Sequence, residues 1–309
     1  MKALSVHRLQ KRYGTRAVLQ DISFEVEAGE CVAVLGPNGA GKTTTIEILE
    51  GFRTRDRGAV SVLGHDPARP TPAWRQRIGF VLQSTSFEPD LTVAETLQLY
   101  ASCYRNPRNV DEVLGMVGLE DAAASRAGSL SGGQQRRLDV GVGVVGRPAF
   151  LFLDEPTTGF DPAARQQFWQ LIRELRHAGT TILLTTHYLE EARQLADRVV
   201  VIQGGRVVAD ATPDGLAGTP RSVVRLPGLG PHDASALQPA LAGGWDGDAF
   251  VVETDDITSS LEVLVRWARE AGHSLEGLTI TRPTLEDSYL RLTAANGSPS
   301  VVVETEHAN

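Results

Sequence analysis

The stretch Gly36-Pro-Asn-Gly-Ala-Gly-Lys-Thr43 constrains the fold more than any other part of the chain, because two glycines with four residues between them precede Lys and a hydroxyl residue. Glycine at 36, 39 and 41 admits backbone conformations closed to other residues, so successive N–H groups can turn inward onto β- and γ-phosphate oxygens. Lys42 reaches the same oxygens, and the Thr43 hydroxyl is placed to bind Mg²⁺. The candidate cradle comprises Gly36, Pro37, Asn38, Gly39, Ala40, Gly41, Lys42, Thr43 and Thr44. Its flanks predict a buried parallel strand over Cys31 to Leu35 and a helix from Thr44 to Leu49 whose N-terminal dipole favours an anion. Lysine is otherwise almost absent: of 30 cationic residues only positions 2, 11 and 42 are Lys. A compact charge on a flexible stem is kept where a rigid guanidinium fork would fit poorly.

The rest of the chain sets limits. A formal net charge of −8 argues against a nucleic-acid partner held by a general basic field. Met1 to Gln10 lacks the apolar core of a signal peptide and no run approaches 18 apolar residues, so the chain is expected in the cytoplasm, meeting a membrane only through a partner. The two cysteines, Cys31 and Cys103, offer no disulfide framework and read as buried packing residues.

Ala3 to Leu9 and Ile22 to Val26 read as strands about a turn at Tyr13-Gly14. Tyr13 serves equally as a platform for a nucleobase or as a strand-end aromatic. Further strands are expected at 58 to 63 and 78 to 82, the second running into Gln83, where a strand opening into a loop gathers ligands. From about 90 to 145 the apolar spacing becomes helical, forming an insert that closes on Leu130-Ser-Gly-Gly-Gln134. Ser131 is a good N-cap and Gly132 and Gly133 leave their N–H groups accessible, which makes a second anion-binding helix start. Phe150 to Leu153 predicts a buried strand with Asp154 and Glu155 at its end. One carboxylate can enter a Mg²⁺ shell and the next can take a proton from an attacking water. Asp161-Pro162 predicts a helix to Arg176 with Asp as N-cap and Pro at N1. Thr180 to Thr185 is another buried strand, ending at His187.

These pieces, in this order, resemble the ATP-binding subunits of ABC transporters over residues 1 to about 218. Tyr13 matches the adenine platform, 36–43 Walker A, Gln83 the Q-loop, and Leu130 to Gln134 the LSGGQ signature. Residues 150–155 match Walker B with its catalytic Glu155, Thr158 to Asp161 the D-loop, and His187 the switch histidine. The resemblance implies an α/β P-loop ATPase core with a helical insert and an N-terminal antiparallel β portion. It also implies a head-to-tail homodimer in which ATP on one Walker A is covered by Ser131, Gly132, Gly133 and Gln134 of the other copy, with Asp161 at the contact. Mg²⁺ would be held by Thr43, Gln83 and Asp154, and a separate multispan membrane subunit would be driven. Two departures stand out: Phe160 replaces the usual Leu, enlarging the dimer contact, and Gly141 and Gly143 replace Ala, predicting a looser helix after the signature at about 1 kcal/mol each.

Beyond Pro213 the composition shifts, and strand-like and helical pieces alternate through a small α/β accessory domain at 219–293, with a tail at 294–309 expected to be disordered. Helices are expected at 233–242, 257–271 and 284–293. Arg282 to Leu290 resembles the closing element of drug- and antibiotic-resistance exporter ATPases. A soluble ABC ATPase acting on ribosomes or DNA is the competing reading; it lacks here the second cassette or the long heptad insert such proteins carry. An importer subunit is a third.

Overall fold

The parallel strands form where the sequence runs apolar without alternation, as strands buried on both faces require. The computed structural model describes residues 1–81, 87–216, 222–228, 237, 241, 243–247, 249–281, 286 and 289. They fall into two compact units, one comprising Met1–Pro213 and one comprising Asp214–Asn296. The first begins with β1 (Lys2–Tyr13) and β2 (Arg16–Glu27), an antiparallel pair, followed by β3 (Cys31–Leu35), α1 (Lys42–Glu50), β4 (Arg57–Val62), α2 (Pro72–Arg75) and β5 (Ile78–Val81). The helical insert holds α3 (Val93–Ala101), α4 (Val110–Val117) and α5 (Gly132–Val145). Then come β6 (Phe150–Asp154), α6 (Pro162–His177), β7 (Thr181–Thr185), α7 (Leu189–Leu195), β8 (Arg198–Gln203) and β9 (Arg206–Ala211), and the short α8 (Pro213–Leu216) runs across the division into the second unit.

One nine-stranded sheet runs β4-β1-β2-β9-β8-β3-β7-β6-β5. From β8 to β5 every pairing is parallel, whereas β1 pairs antiparallel with both β2 and β4. Every residue of β3, β6 and β7 is buried. Their carboxyl ends open toward the loops that carry the polar residues singled out above, the place where open parallel sheets gather ligands.

The caps form as their side chains dictate. Asp161 accepts the N–H of Ala164 at 2.8 Å with Pro162 at N1 of α6. Ser131 and Gln134 close a capping box at the start of α5, an arrangement that satisfies two donors left over at a helix start. Gly143 has a packing reason in β5. A Cβ on Gly143 would lie 2.7 Å from Val81 Cγ2 and 2.9 Å from Phe80 O, and one on Gly79 would run into Gly143 O. The helix therefore touches β5 backbone to backbone at Gly143, an approach that glycine permits.

Cys31 is buried as expected, but Cys103 is exposed just past the end of α3, because the helix stops two residues before it. The hairpin of β8 and β9, which the sequence reading leaves unassigned, turns at Gly204-Gly205 with φ of 54° and 73°. That left-handed pair suits a tight β-turn.

The second unit contains β10 (Ser222–Pro227), β11 (Gly243–Asp246), β12 (Ala249–Thr254), α9 (Ile257–Ala271) and β13 (Thr279–Thr281). They form an antiparallel sheet in the order β11-β12-β10-β13. The first strand thus lies between the third and the fourth, as in a split β-α-β arrangement. Its core gathers Val224, Leu226, Phe250, Val252 and Leu264 with Leu237 and Leu241. Strand β11 was not anticipated, since the short run holds two glycines. Most of the helices expected at 233–242 and 284–293, the Arg282 to Leu290 element apart from Glu286 and Tyr289, and the tail lie outside the described residues.

Candidate active site

Between β3 and α1 the chain folds back through the Gly36 to Gly41 loop. A Cβ on Gly36 would collide with the carbonyl of Ile202 on β8, and one on Gly41 would lie 2.5 Å from Leu19 Cδ2. Gly41 is the N-cap of α1 with φ 107° and offers no side chain to the helix start. The N–H groups of the first turn therefore have no capping acceptor of their own, and an anion is the natural one. Lys42, only 6% exposed, donates to the carbonyls of Gly36 at 2.7 Å and Pro37 at 3.3 Å. Burial lowers its pKa, while Glu155 and Asp154 act in the opposite direction. A buried cation resting on two carbonyls, beside uncapped donors, fits a phosphate group.

The end of β6 supplies the acids. Asp154 is buried and accepts a short hydrogen bond from the Thr185 hydroxyl on β7. Desolvation raises its pKa against that bond. Glu155 stands in the left-handed region with φ 46°, a conformation that costs a residue with a Cβ about 1–2 kcal/mol. Its N–H is held by the Thr185 hydroxyl at 3.0 Å and carbonyl at 3.1 Å. The turn brings Glu155 Oε2 to 3.5 Å from His187 Nδ1, whose ring lies 4.1 Å from that of Tyr188. A hydroxyl at Thr43 and one carboxylate at Asp154 form a small set of hard oxygen donors, the kind that suits Mg²⁺ completed by phosphate and water.

The remaining candidates are placed apart from this cluster in bonding. The Ser131 hydroxyl and the Gln134 side chain are engaged with each other's backbone, Ser131 N to Gln134 Oε1 at 3.0 Å and Gln134 N to Ser131 Oγ at 3.3 Å. Asp161 is occupied by its cap. Tyr13 ends β1 with its ring 5.3 Å from the Arg53 guanidinium and 5.5 Å from Lys11 Nζ. Arg53 is itself fixed by a two-pronged pair with Glu47 of α1, at 2.5 and 3.1 Å. Phe160 does not enlarge an outer contact: it is buried, with its ring 6.0 Å from Phe168 of its own α6, because an exposed benzyl group gains more by packing inward. Gln83 lies outside the described residues.

Two residues escape a reading by motif. Arg136, five positions past the signature serine and 7% exposed, bonds the carbonyls of Asp154 at 2.8 Å, Glu155 at 3.0 Å and Pro156 at 2.9 Å. Its only sequence signal is an Arg at a buried helical position. Glu50, at the last turn of α1 and 4% exposed, has neither carboxyl oxygen hydrogen-bonded. Burial, with Asp154 and Glu47 adding repulsion, pushes its pKa up to about 8.

A glycine cradle feeding a helix, with carboxylates at the end of a parallel strand in the same sheet, is the plan of a P-loop ATPase. A family model described as ABC transporter matches residues 19–158, and the C-terminal domain model of ABC transporter domain-containing protein-like sequences matches 222–284. The chain is 39% identical over 303 residues to the daunorubicin resistance ATP-binding protein DrrA3 of Streptomyces coeruleorubidus, covering 94% of this chain and 96% of that protein. It is 38% identical over 301 residues to the Nod factor export ATP-binding protein I of Burkholderia lata, with coverage of 94% and 96%. The solved structure of an ATP binding subunit of an ABC transporter matches with TM-score 0.65 at 32% identity, over 69% of this chain and 91% of that one. A dimeric ATP-binding cassette, MJ0796, in a post-hydrolysis state with ADP and Pi, matches with TM-score 0.62 at 25% identity, over 68% and 98%. The chain belongs to the ABC transporter ATP-binding proteins and is an ATP-hydrolysing subunit of that kind. Among the described residues no helix is long and apolar enough to cross a membrane.

Proposed function

We propose that the chain powers an exporter, pairing head to tail with a second copy on the cytoplasmic face and driving a separate multispan membrane protein. The observation that carries the pairing is the open ground at Gly132 and Gly133, where a methyl group on either would meet no atom within 4 Å. Nothing among the described residues of the subunit demands glycine there. The demand comes from outside, as it would if the triphosphate on another copy's cradle seated against those N–H groups. That the related cassette MJ0796 forms a dimer supports the pairing of two copies. Residues 1–218 are assigned to the ATPase domain and 219–293 to an accessory domain.

In this reading Gly36 to Thr44 wrap the triphosphate, Lys42 leaves its two carbonyls for the phosphate oxygens, and Tyr13 stacks on the base. Bound Mg²⁺, held by Thr43, Asp154 and Gln83, supplies positive charge that offsets the charge gathering on the transferred group. Glu155 takes the proton of the attacking water, and His187, 3.5 Å from it, holds that carboxylate and reaches for the γ-phosphate. Relatives named for daunorubicin resistance and for Nod factor export support outward transport, with a drug, antibiotic or other hydrophobic compound as cargo.

The test is affinity purification from membranes solubilised in mild detergent. A multispan protein should co-purify in fixed ratio and raise the ATPase rate; stable recovery with ribosomes and no membrane subunit would overturn the exporter reading.

A further inference from the structure

Arg136 occupies a place that the hydrolytic roles above do not use. It sits in the second turn of α5, directly behind the Ser131 to Gln134 turn. Its fork closes on three successive carbonyls, those of Asp154, Glu155 and Pro156. The middle one belongs to the residue held at φ 46°. The N–H of that residue is held from the opposite side by Thr185. The left-handed turn that aims the Glu155 carboxylate at His187 is thus clamped at both of its peptide groups, and Arg136 is the clamp that comes from the signature helix. Its own charge is balanced in the interior by Asp139 at 3.6 Å, with Asp154 and Glu191 acting on it as well. Three planar donors in a fixed fork suit this task and a lysine does not, since an ammonium is a single point with no matching geometry.

We propose that Arg136 is a positioning residue that ties the state of the signature turn to the backbone of Glu155, and so links the two ATP sites of the dimer. The inference rests on the pairing proposed above. In that pair the Ser131 to Gln134 turn lies on the other copy's nucleotide, while Glu155 serves its own. Seating of the turn on a nucleotide shifts the start of α5, and the fork passes that shift to the three carbonyls. Each site then hydrolyses well only when the other is filled.

The experiment uses the full chain with MgATP as the probe. Arg136→Lys keeps the charge but replaces the fork; a 1 Å misplacement of the base predicts a kcat lower by about 10²-fold with KM for ATP within about twofold. The Hill coefficient for ATP should fall from ~2 to ~1. The double variant Glu155→Gln/Arg136→Lys should still double its mass with MgATP at the concentrations that suffice for Glu155→Gln alone, showing that folding and closure survive. Unchanged kcat, or a lower kcat with cooperativity intact, would overturn the link. A joint loss of kcat, closure and thermal midpoint would reduce Arg136 to a structural brace. A Glu155→Gln chain that stays monomeric in MgATP, with a wild type lacking cooperativity, would instead remove the pairing and the link with it.

Discussion

Glu50 makes the stability of the ATPase unit depend on pH in a way that one substitution should abolish. Its carboxyl is buried at the end of α1, unbonded at both oxygens, with its pKa pushed up to about 8 from the ordinary 4.5. The folded chain therefore keeps a proton that the unfolded chain releases. A carboxyl with a raised folded pKa favours folding most below 4.5, and that contribution is lost as pH rises towards 8, beyond which it is constant. At about 1.4 kcal/mol per pH unit, holding the proton at pH 7 costs about 3 kcal/mol relative to pH 4.5. In a domain of this size 1 kcal/mol moves the midpoint by about 2–4 °C, so the wild-type Tm should fall by about 3–6 °C per pH unit from this group. Glu50→Gln keeps the shape and removes the titration. The difference in Tm between wild type and Glu50→Gln, followed by calorimetry from pH 5.5 to 7.5, should drift by that amount against the wild type. The absolute Tm of the variant is not the test, because a buried amide also lacks partners there. Parallel lines for the two proteins would refute the reasoning, since they would mean that Glu50 finds a partner or water when folded.

Gly143→Ala should destabilise the first unit by about 1–3 kcal/mol through overpacking against Val81 and Phe80, despite a gain of about 1 kcal/mol in helix propensity; urea unfolding decides the sign. Asp161→Ala should lower stability by about 1 kcal/mol by removing the cap on α6, and Asp161→Asn should recover most of it in the same denaturation assay. Tyr13→Ala should weaken binding of a fluorescent ATP analogue by about 1–3 kcal/mol, and GTP should lose as much as ATP, because a stacking face does not discriminate between bases. A loss confined to ATP would point to a hydrogen bond instead.

What the sequence made legible is local. The N-cap at Ser131, the Asp161-Pro162 start, the buried runs of β3, β6 and β7 and the turn at Tyr13-Gly14 each depend on residues within a few positions of one another. The gathering of Glu155 and His187 could also be anticipated, because both follow apolar runs and strand ends of a parallel sheet share an edge. The remainder depends on packing between distant segments. Arg136 finds its acceptors 18 to 20 residues away, and nothing in Gln-Gln-Arg-Arg shows which arginine turns inward. Gly143 looked like a weak point because propensity is a property of the helix alone, whereas its reason lies in β5, and Gly141 faces Leu97 of α3 and Val113 of α4. Phe160 looked like an outward group until Phe168 provided a surface for it. The positive φ of Glu155 leaves no mark in composition at all, since it is imposed by Thr185 on one side and Arg136 on the other.

The central claim is that the signature turn of one copy completes the nucleotide site of another. The most direct measurement is the solution mass of the Glu155→Gln variant by light scattering, with and without MgATP. Removing the proposed base should trap the closed pair, so the mass should double only with MgATP, and Ser131→Arg in the same chain should abolish the doubling. A chain that binds ATP yet remains a monomer, or a doubling indifferent to Ser131→Arg, would contradict the account.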